Sequence, residues 1–371
     1  MGHLGLAKEE VYKALAGRLD KNPIGAPLNE TLLAILKILF TEKEAEIGGK
    51  FPAGFSTADK LAHFLGLSRE EIVAHLEEMA SKGLVIDVPR GTETFYLLSP
   101  LVVGFFEYTF MRTDDRLPLK ELAELFERYH HEPGVAEEFF GAETKIFKTW
   151  AYESLHPVEV RTEVLDYEKA SVMIRDAGGG SLGTCYCRHQ ALHMGKACDA
   201  PLTDVCTSLG NAAEWLVRRK FARPATVDEL LRVLEKTEKL GLVHLVDNVR
   251  NNPAFLCHCC GCCCGALRSI NESGVRSVHP SNFTLEIDSD ACVGCGNCVA
   301  RCHVKAIQLA PSANGSQDHA VLLPDRCLGC GACVATCKPA ALKLQQHLTL
   351  HVPPKDKKEQ MLLIAKEKGK I

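Results

Sequence analysis

Apolar residues recur at helical spacing through the first third of the chain. Leu32, Leu33, Ile35, Leu36, Ile38 and Leu39 share one window and predict a buried helix. Ser56-Thr57-Ala58-Asp59-Lys60-Leu61-Ala62 predicts a second helix, with Ser56 or Thr57 as N-cap. Gly66-Leu67-Ser68 reads as a turn. Ser68 followed three residues later by Glu71 has capping-box form and starts a third helix. That helix carries Ile72, Val73, Leu76 and Met79 on its apolar side and ends near Gly83. Leu84–Val88 and Thr94–Leu98 then alternate as two strands about Pro89-Arg90-Gly91. Residues 113–165 read as a helical linker. Within it Leu119–Tyr129 turns Leu122, Leu125 and Phe126 inward, and Glu137–Trp150 is rich in aromatics. Further on, Ala170-Ser171-Val172-Met173-Ile174 predicts a strand, and Ala212–Lys220 and Val227–Leu240 predict helices.

Helix, helix–turn–helix and wing over the 1–112 segment resemble the winged helix-turn-helix of transcription regulators. The resemblance implies DNA contact through the third helix. Glu70, Glu71, Glu77 and Glu78 there outnumber Arg69 and Lys82, which is the wrong sign for a polyanion. The module is expected to serve protein docking or dimerisation, including a homo-oligomer, and nucleic acid is not the expected partner.

Composition changes this picture at one point. A chain of 371 residues with a net charge of −4 fits two or three ordinary globular domains, with no bulk electrostatic pull toward nucleic acid or anionic membrane. Its 18 cysteines do not fit that description. A secreted disulfide scaffold would be shorter and carry a signal peptide, whereas Met1–Lys13 has no apolar core long enough for export. The longest apolar run, Tyr96–Phe110, is broken by Ser99, Pro100 and Glu107 and falls short of a bilayer span. The expectation is a reducing cytoplasm, an anaerobic host, and cysteines kept as thiolate ligands.

Eight of the cysteines form one phrase twice. Cys292-x-x-Cys295-x-x-Cys298-x-x-x-Cys302 is followed by His303, and Cys327-x-x-Cys330-x-x-Cys333-x-x-x-Cys337 by Lys338-Pro339. Gly294 and Gly296 answer Gly329 and Gly331 at the same offset. This is the spacing that wraps [4Fe–4S] clusters. Residues 283–346 resemble a bacterial two-cluster ferredoxin. In that arrangement the last cysteine of each repeat serves the other cluster. The resemblance implies one set of Cys292, Cys295, Cys298 and Cys337, and a second of Cys327, Cys330, Cys333 and Cys302. His303 departs from the family, which usually has proline there; it loosens the turn or places a hydrogen-bonding group near one cluster.

Ten cysteines lie in the 166–282 segment, expected to be a mainly α, cysteine-rich domain. Cys185, Cys187, Cys198 and Cys206 form one group; Cys257, Cys259, Cys260, Cys262, Cys263 and Cys264 form another. Six cysteines in eight residues cannot all point into one core. Adjacent thiols in a reducing compartment oxidise unless a metal holds them. Soft thiolates select iron–sulfur clusters or zinc. One or two further clusters lead, zinc is second, and a redox-active dithiol or persulfide third. Arg188, His189 and His193 follow Cys187 and would favour thiolate and a reduced centre if they face it. Gly178, Gly180 and Gly183 fit G-x-G-x-x-G by letter, but no clear βαβ unit follows, so a flexible turn is preferred to a nucleotide site.

Cys-Tyr-Cys-Arg-His at 185–189, Cys-His-Cys-Cys-Gly-Cys-Cys-Cys at 257–264 and the terminal ferredoxin phrase together resemble a family of largely uncharacterised iron–sulfur proteins of anaerobes. The resemblance implies an α+β multidomain protein that transfers electrons as a subunit or partner of a larger oxidoreductase. Two rivals stand beside it: an oxidoreductase with its own substrate site in the middle domain, and a redox-sensing transcription regulator. The 347–371 tail, rich in lysine around Met361-Leu362-Leu363-Ile364, is either a basic docking helix or a fraying terminus.

Overall fold

A computed structural model describes residues 3–114, 116–156, 169–311 and 318–371. The expected boundary between the linker and the cysteine-rich segment, at 165–166, lies outside these residues.

The N-terminal elements follow their local signals. Helix Glu30–Leu39 is capped by Asn29, whose side chain accepts from Leu32 N, and buries Leu32, Leu33, Ile35, Leu36 and Leu39. Thr57 caps helix Ala58–Leu65, which ends on left-handed Gly66. Ser68 and Glu71 form both halves of a capping box on helix Arg69–Lys82, and Gly83 ends it. Strands β1 (Ser56–Thr57), β2 (Val85–Arg90) and β3 (Glu93–Leu98) form a sheet in the order β1-β3-β2.

The middle of the molecule is built on a seven-stranded sheet, where the sequence reading expected mainly helices. Its strands are β4 (Phe147–Trp150), β5 (Gly180–Gly183), β6 (Cys206–Leu209), β7 (Ala222–Ala225), β8 (Val243–Asp247), β9 (Phe255–Cys259) and β10 (Val278–His279). Their order is β10-β4-β8-β9-β6-β5-β7, antiparallel except for β10 on β4. Five of these strands have four residues or fewer, too short a run for alternation to show. β4 lies in the aromatic stretch expected to be helical, and all four of its residues are buried. Conversely, Ala170–Ile174 is not a strand but part of helix Ala170–Asp176. Its buried residues, Ala170, Met173 and Ile174, stand at helical spacing and pack toward helix Val227–Lys239. Gly180 and Gly183 belong to β5, and a Cβ on Gly180 would lie 2.2 Å from Ser208 O. Close strand packing thus accounts for that glycine.

The C-terminal part pairs β11 (Phe283–Ile287) with β14 (Leu342–Gln346), and β12 (Ile307–Ala310) with β13 (His319–Leu322), both antiparallel. The tail is docked rather than frayed. Helix Lys357–Glu367 buries Gln360, whose amide donates to the carbonyls of Lys145, Ile146 and Asn248. Lys357 pairs with buried Asp247, and Lys368 and Lys370 with Glu138. One apolar core runs from Leu15 and Leu36 through Phe126, Leu245 and Leu267 to Val304 and Leu328. Among the described residues, no helix is long and apolar enough to cross a membrane.

Candidate iron–sulfur and metal centres

The C-terminal cysteines surround two cavities. Cys292, Cys295, Cys298 and Cys337 line one, and Cys302, Cys327, Cys330 and Cys333 line the other. Gly294, Gly296, Gly329 and Gly331 all have positive φ, between 62° and 87°, which lets each loop curl its three sulfurs inward. Backbone N–H groups turn toward sulfur: Ala306 N donates to Cys302 Sγ at 3.1 Å, and Ala320 N to Cys292 Sγ at 3.4 Å. Four soft sulfurs around each cavity, with backbone N–H groups donating to them, fit an iron–sulfur cluster.

The two cavities face different surroundings. Cys295 is exposed beside Val293, which is 53% exposed. The second cavity faces the middle region. Tyr152 N donates to Cys330 O at 3.1 Å, while its hydroxyl donates to Leu242 O at 2.8 Å. His303, next to Cys302, accepts from Gly261 N–H through Nδ1 at 3.1 Å and donates through Nε2 to Gly241 O at 2.8 Å. A Cβ on Gly261 would stand 2.1 Å from His303 O, so the two backbones meet without room for a side chain. The residue in place of the usual proline therefore joins the ferredoxin-type loop to the Cys257–Cys264 run.

The ten middle cysteines divide into two sets. Cys257 and Cys259 share a face of β9, because successive strand residues point to opposite sides. His258, on the other face, meets Thr237 and His244. Cys206 and Cys259 hydrogen-bond Cys257 and pull its thiol down to about 5; Cys187 and Cys259 do the same for Cys264 and take it well below the ordinary thiol range. Burial pushes the nearby Cys185 up to about 12. Cys185, Cys187, Cys206, Cys257, Cys259 and Cys264 thus form one set. The turn after β9 sends Cys260, Cys262 and Cys263 the other way, to meet Cys198. Sγ of Cys198 lies 3.6 Å from Cys260 and 3.9 Å from Cys263, and Cys262 lies 3.7 Å from Cys263.

Arg188 stands between the sets. It is 1% exposed, and its guanidinium donates to His258 O at 2.6 Å and Pro201 O at 3.0 Å. Although burial opposes its charge, Cys185, Cys260 and Cys259 hold it protonated. Buried cations need negative neighbours, and Cys260, whose thiol the hydrogen bond with Cys263 pulls down to about 4, supplies one here. His189 instead turns to Phe110 O at 2.8 Å, and its Nε2 lies 3.2 Å from Nε2 of His193.

Sequence reasoning missed a mostly apolar cavity of about 60 Å³ against the six-cysteine set. Phe106, Phe126 and Tyr186 line it with Cys187, Cys257, Cys259 and Cys264. Glu107 also faces it, is 3% exposed and accepts from Gly104 N at 2.6 Å. Burial pushes its carboxyl up to about 8. The signal was present: Glu107 is the one acid inside the apolar run Tyr96–Phe110.

Comparison with known proteins covers one part of this arrangement. No curated protein and no solved structure matches the chain. Residues 291–341, which hold all eight cysteines of the repeated phrase, match the family described as the 4Fe-4S dicluster domain. The chain carries a C-terminal ferredoxin-type iron–sulfur domain.

Proposed function

We propose that this protein passes electrons between an outside redox partner and metal centres in its middle region, with the ferredoxin-type domain as the port. When bound, a [4Fe–4S] cluster supplies one-electron transfer. Cys292, Cys295, Cys298 and Cys337 hold the outer cluster, where Cys295 and Val293 offer a partner protein an approach. Cys302, Cys327, Cys330 and Cys333 hold the inner one. The six-cysteine set holds further iron–sulfur chemistry, with Arg188 balancing its negative charge. The observation that carries this reading is the His303–Gly261 contact. It ties the residue after a ferredoxin-type ligand to the Cys257–Cys264 run, which holds six of the middle cysteines. The N-terminal module, of winged-helix form, serves as a docking unit.

The test is metal analysis of anaerobically purified full-length protein, with EPR of the reduced form. Iron and labile sulfide each above about eight per chain, the content of two cubanes, support clusters beyond the ferredoxin-type domain. Iron and sulfide at about eight confine the clusters to that domain and overturn the relay.

A second reading, an oxidoreductase with its own substrate site, draws on the cavity beside Cys187, Cys257, Cys259 and Cys264. Glu107 would there hold a proton within the chamber. A redox-sensing regulator is less well supported. Glu77 of the third winged-module helix is paired with Arg219 at 2.8 Å, so that helix is partly engaged within the chain.

A further inference from the structure

We infer that Cys198, Cys260, Cys262 and Cys263 together hold one tetrahedrally coordinated metal ion, zinc or iron, rather than a further cluster. The inference rests on the reading that the middle cysteines bind metal, and it divides them by nuclearity.

All four sulfurs lie within 4.8 Å of one another, and three of the pairs are at 3.6, 3.7 and 3.9 Å. Four thiolates about 2.3 Å from one ion form a tetrahedron with an edge of about 3.8 Å. A cubane imposes a different spacing, because each thiolate binds a different iron at a different corner. The protein carries its own reference for that spacing. The two ferredoxin-type sets match a cluster-binding family, yet neither draws its sulfurs into so tight a group. Among the described residues, no other set of histidine, cysteine or carboxylate ligands does so. The six-cysteine set resembles the ferredoxin-type sets in this respect.

Local structure explains the tightness. Cys264 N returns to Cys260 O at 3.2 Å, closing a turn that turns Cys260, Cys262 and Cys263 to one side. Gly261 at its apex is pressed against His303. Leu242 and Ala191 pack behind Cys260 and Cys263. Cys198 comes from the loop after helix Tyr186–His193 and closes the fourth corner. Cys262 is exposed, so an ion can enter from solvent. Soft thiolates in a closed tetrahedron select zinc or iron. Zinc would fasten the loop that presents Gly261 to His303. Iron would add a one-electron station on the same route.

The experiment compares anaerobically purified full-length wild type with Cys262→Ser and with Cys198→Ser/Cys262→Ser. Zinc, iron and labile sulfide are counted per chain. The expected result is loss of one metal ion with sulfide unchanged. Lost zinc identifies a fastener, and lost iron a relay station. Loss of about four irons with about four sulfides identifies a cubane and overturns the inference. If a variant does not fold, the wild type is read directly. X-ray absorption at the zinc edge, or EPR of high-spin ferric iron in the oxidised protein, supports the inference when it shows four sulfurs and no neighbouring metal. A metal–metal distance at the zinc edge, or neither signal, overturns it. Iron and sulfide above about eight per chain with no mononuclear ion would sink this inference and leave the relay standing.

Discussion

The eight cysteines of the C-terminal domain and the ten of the middle region are gathered by opposite local rules. In the C-terminal loops, sequence neighbours stay together. Glycines at positive φ curl three cysteines around one cavity, and the fourth crosses from the other repeat. In the middle, sequence neighbours are parted. Strand β9 and the turn after it pass between two sites, sending Cys257, Cys259 and Cys264 to one and Cys260, Cys262 and Cys263 to the other. Spacing reveals ligand sets where a loop wraps a site. Where a strand threads between sites, the pleat and the turn decide, and spacing alone misleads.

The sharpest way to break this comparison is Cys259→Ser. Cys259 is 9% exposed and hydrogen-bonds both Cys257 and Cys264, so it joins the two ends of the six-cysteine set. We expect loss of all metal held by that set, with the reduced EPR signals of the ferredoxin-type domain retained. Cys295→Ser, on an exposed loop, should remove only the outer centre. Wild-type iron and sulfide in Cys259→Ser would show that the six thiols are not ligands.

The same contrast explains what could be read before the structure. The Ser68–Glu71 capping box, the αL glycines after the helices and the repeated cysteine phrase are local signals, and local geometry follows them. The central sheet is not local. β4 pairs with β8 nearly a hundred residues later, and β5, β6 and β7 are four residues each. Ala170–Ile174 shows the cost of a short window: its β-branched residues suggest a strand, while the burial at 170, 173 and 174 that makes it helical needs the partner helix to be seen. The six-and-four division was hidden for the same reason, since Cys187, Cys198 and Cys206 meet partners that lie far along the chain, Cys198 and Cys260 being 62 residues apart.

The flanking regions are also tied to the middle in contrasting ways, the N-terminal one by charge. Asp87 of β2 is 2% exposed and accepts from Trp215 Nε1 at 2.9 Å, Arg219 Nε at 2.8 Å and Arg218 Nη1. Asp87→Ala leaves buried Arg219 without its carboxylate and should cost about 3 kcal/mol, read as a lower urea midpoint. Burial opposes ionisation of Asp87, but the bonds from Arg219, Arg218 and Trp215 outweigh it and hold the carboxyl below its usual range. Because the folded value is depressed, this stabilisation is full above the unfolded carboxyl value of about 4. It is lost as pH falls through the folded value. Asp87→Asn should lack that acid-dependent component. An unchanged pH profile would mean that the charge does not tie the module down.

Within the middle region, Arg188→Gln separates thiolate chemistry from ordinary packing. Removing the buried cation beside Cys185, Cys259 and Cys260 disfavours the reduced state. The potential of the middle centre should fall by on the order of 100 mV, the effect of one charge at short range in a medium of effective dielectric about 20. The ferredoxin-type potentials should not move. A redox titration followed by EPR reads both. Equal shifts in the two regions would show that Arg188 acts through the fold as a whole.

The smallest expected change in stability tests the join itself. His303→Ala removes two neutral hydrogen bonds, to Gly261 N–H and to Gly241 O, and should cost about 1–2 kcal/mol. Arg301, bonded to Leu240 O at 2.7 Å, and Tyr152, bonded to Cys330 O and Leu242 O, still hold the domain in place. The potentials of the separate centres should therefore stay near their wild-type values. What should change is the rate at which an electron given to the ferredoxin-type domain reaches the middle region. His303 is the residue through which the Cys302 loop touches the turn between Cys260 and Cys262. Stopped-flow reduction with rapid-freeze EPR follows the two regions separately. A slower second phase in His303→Ala, with potentials unchanged, places the route through this contact. Equal rates in the variant and the wild type would leave His303 a structural link and send the electron by way of Tyr152 and Leu242.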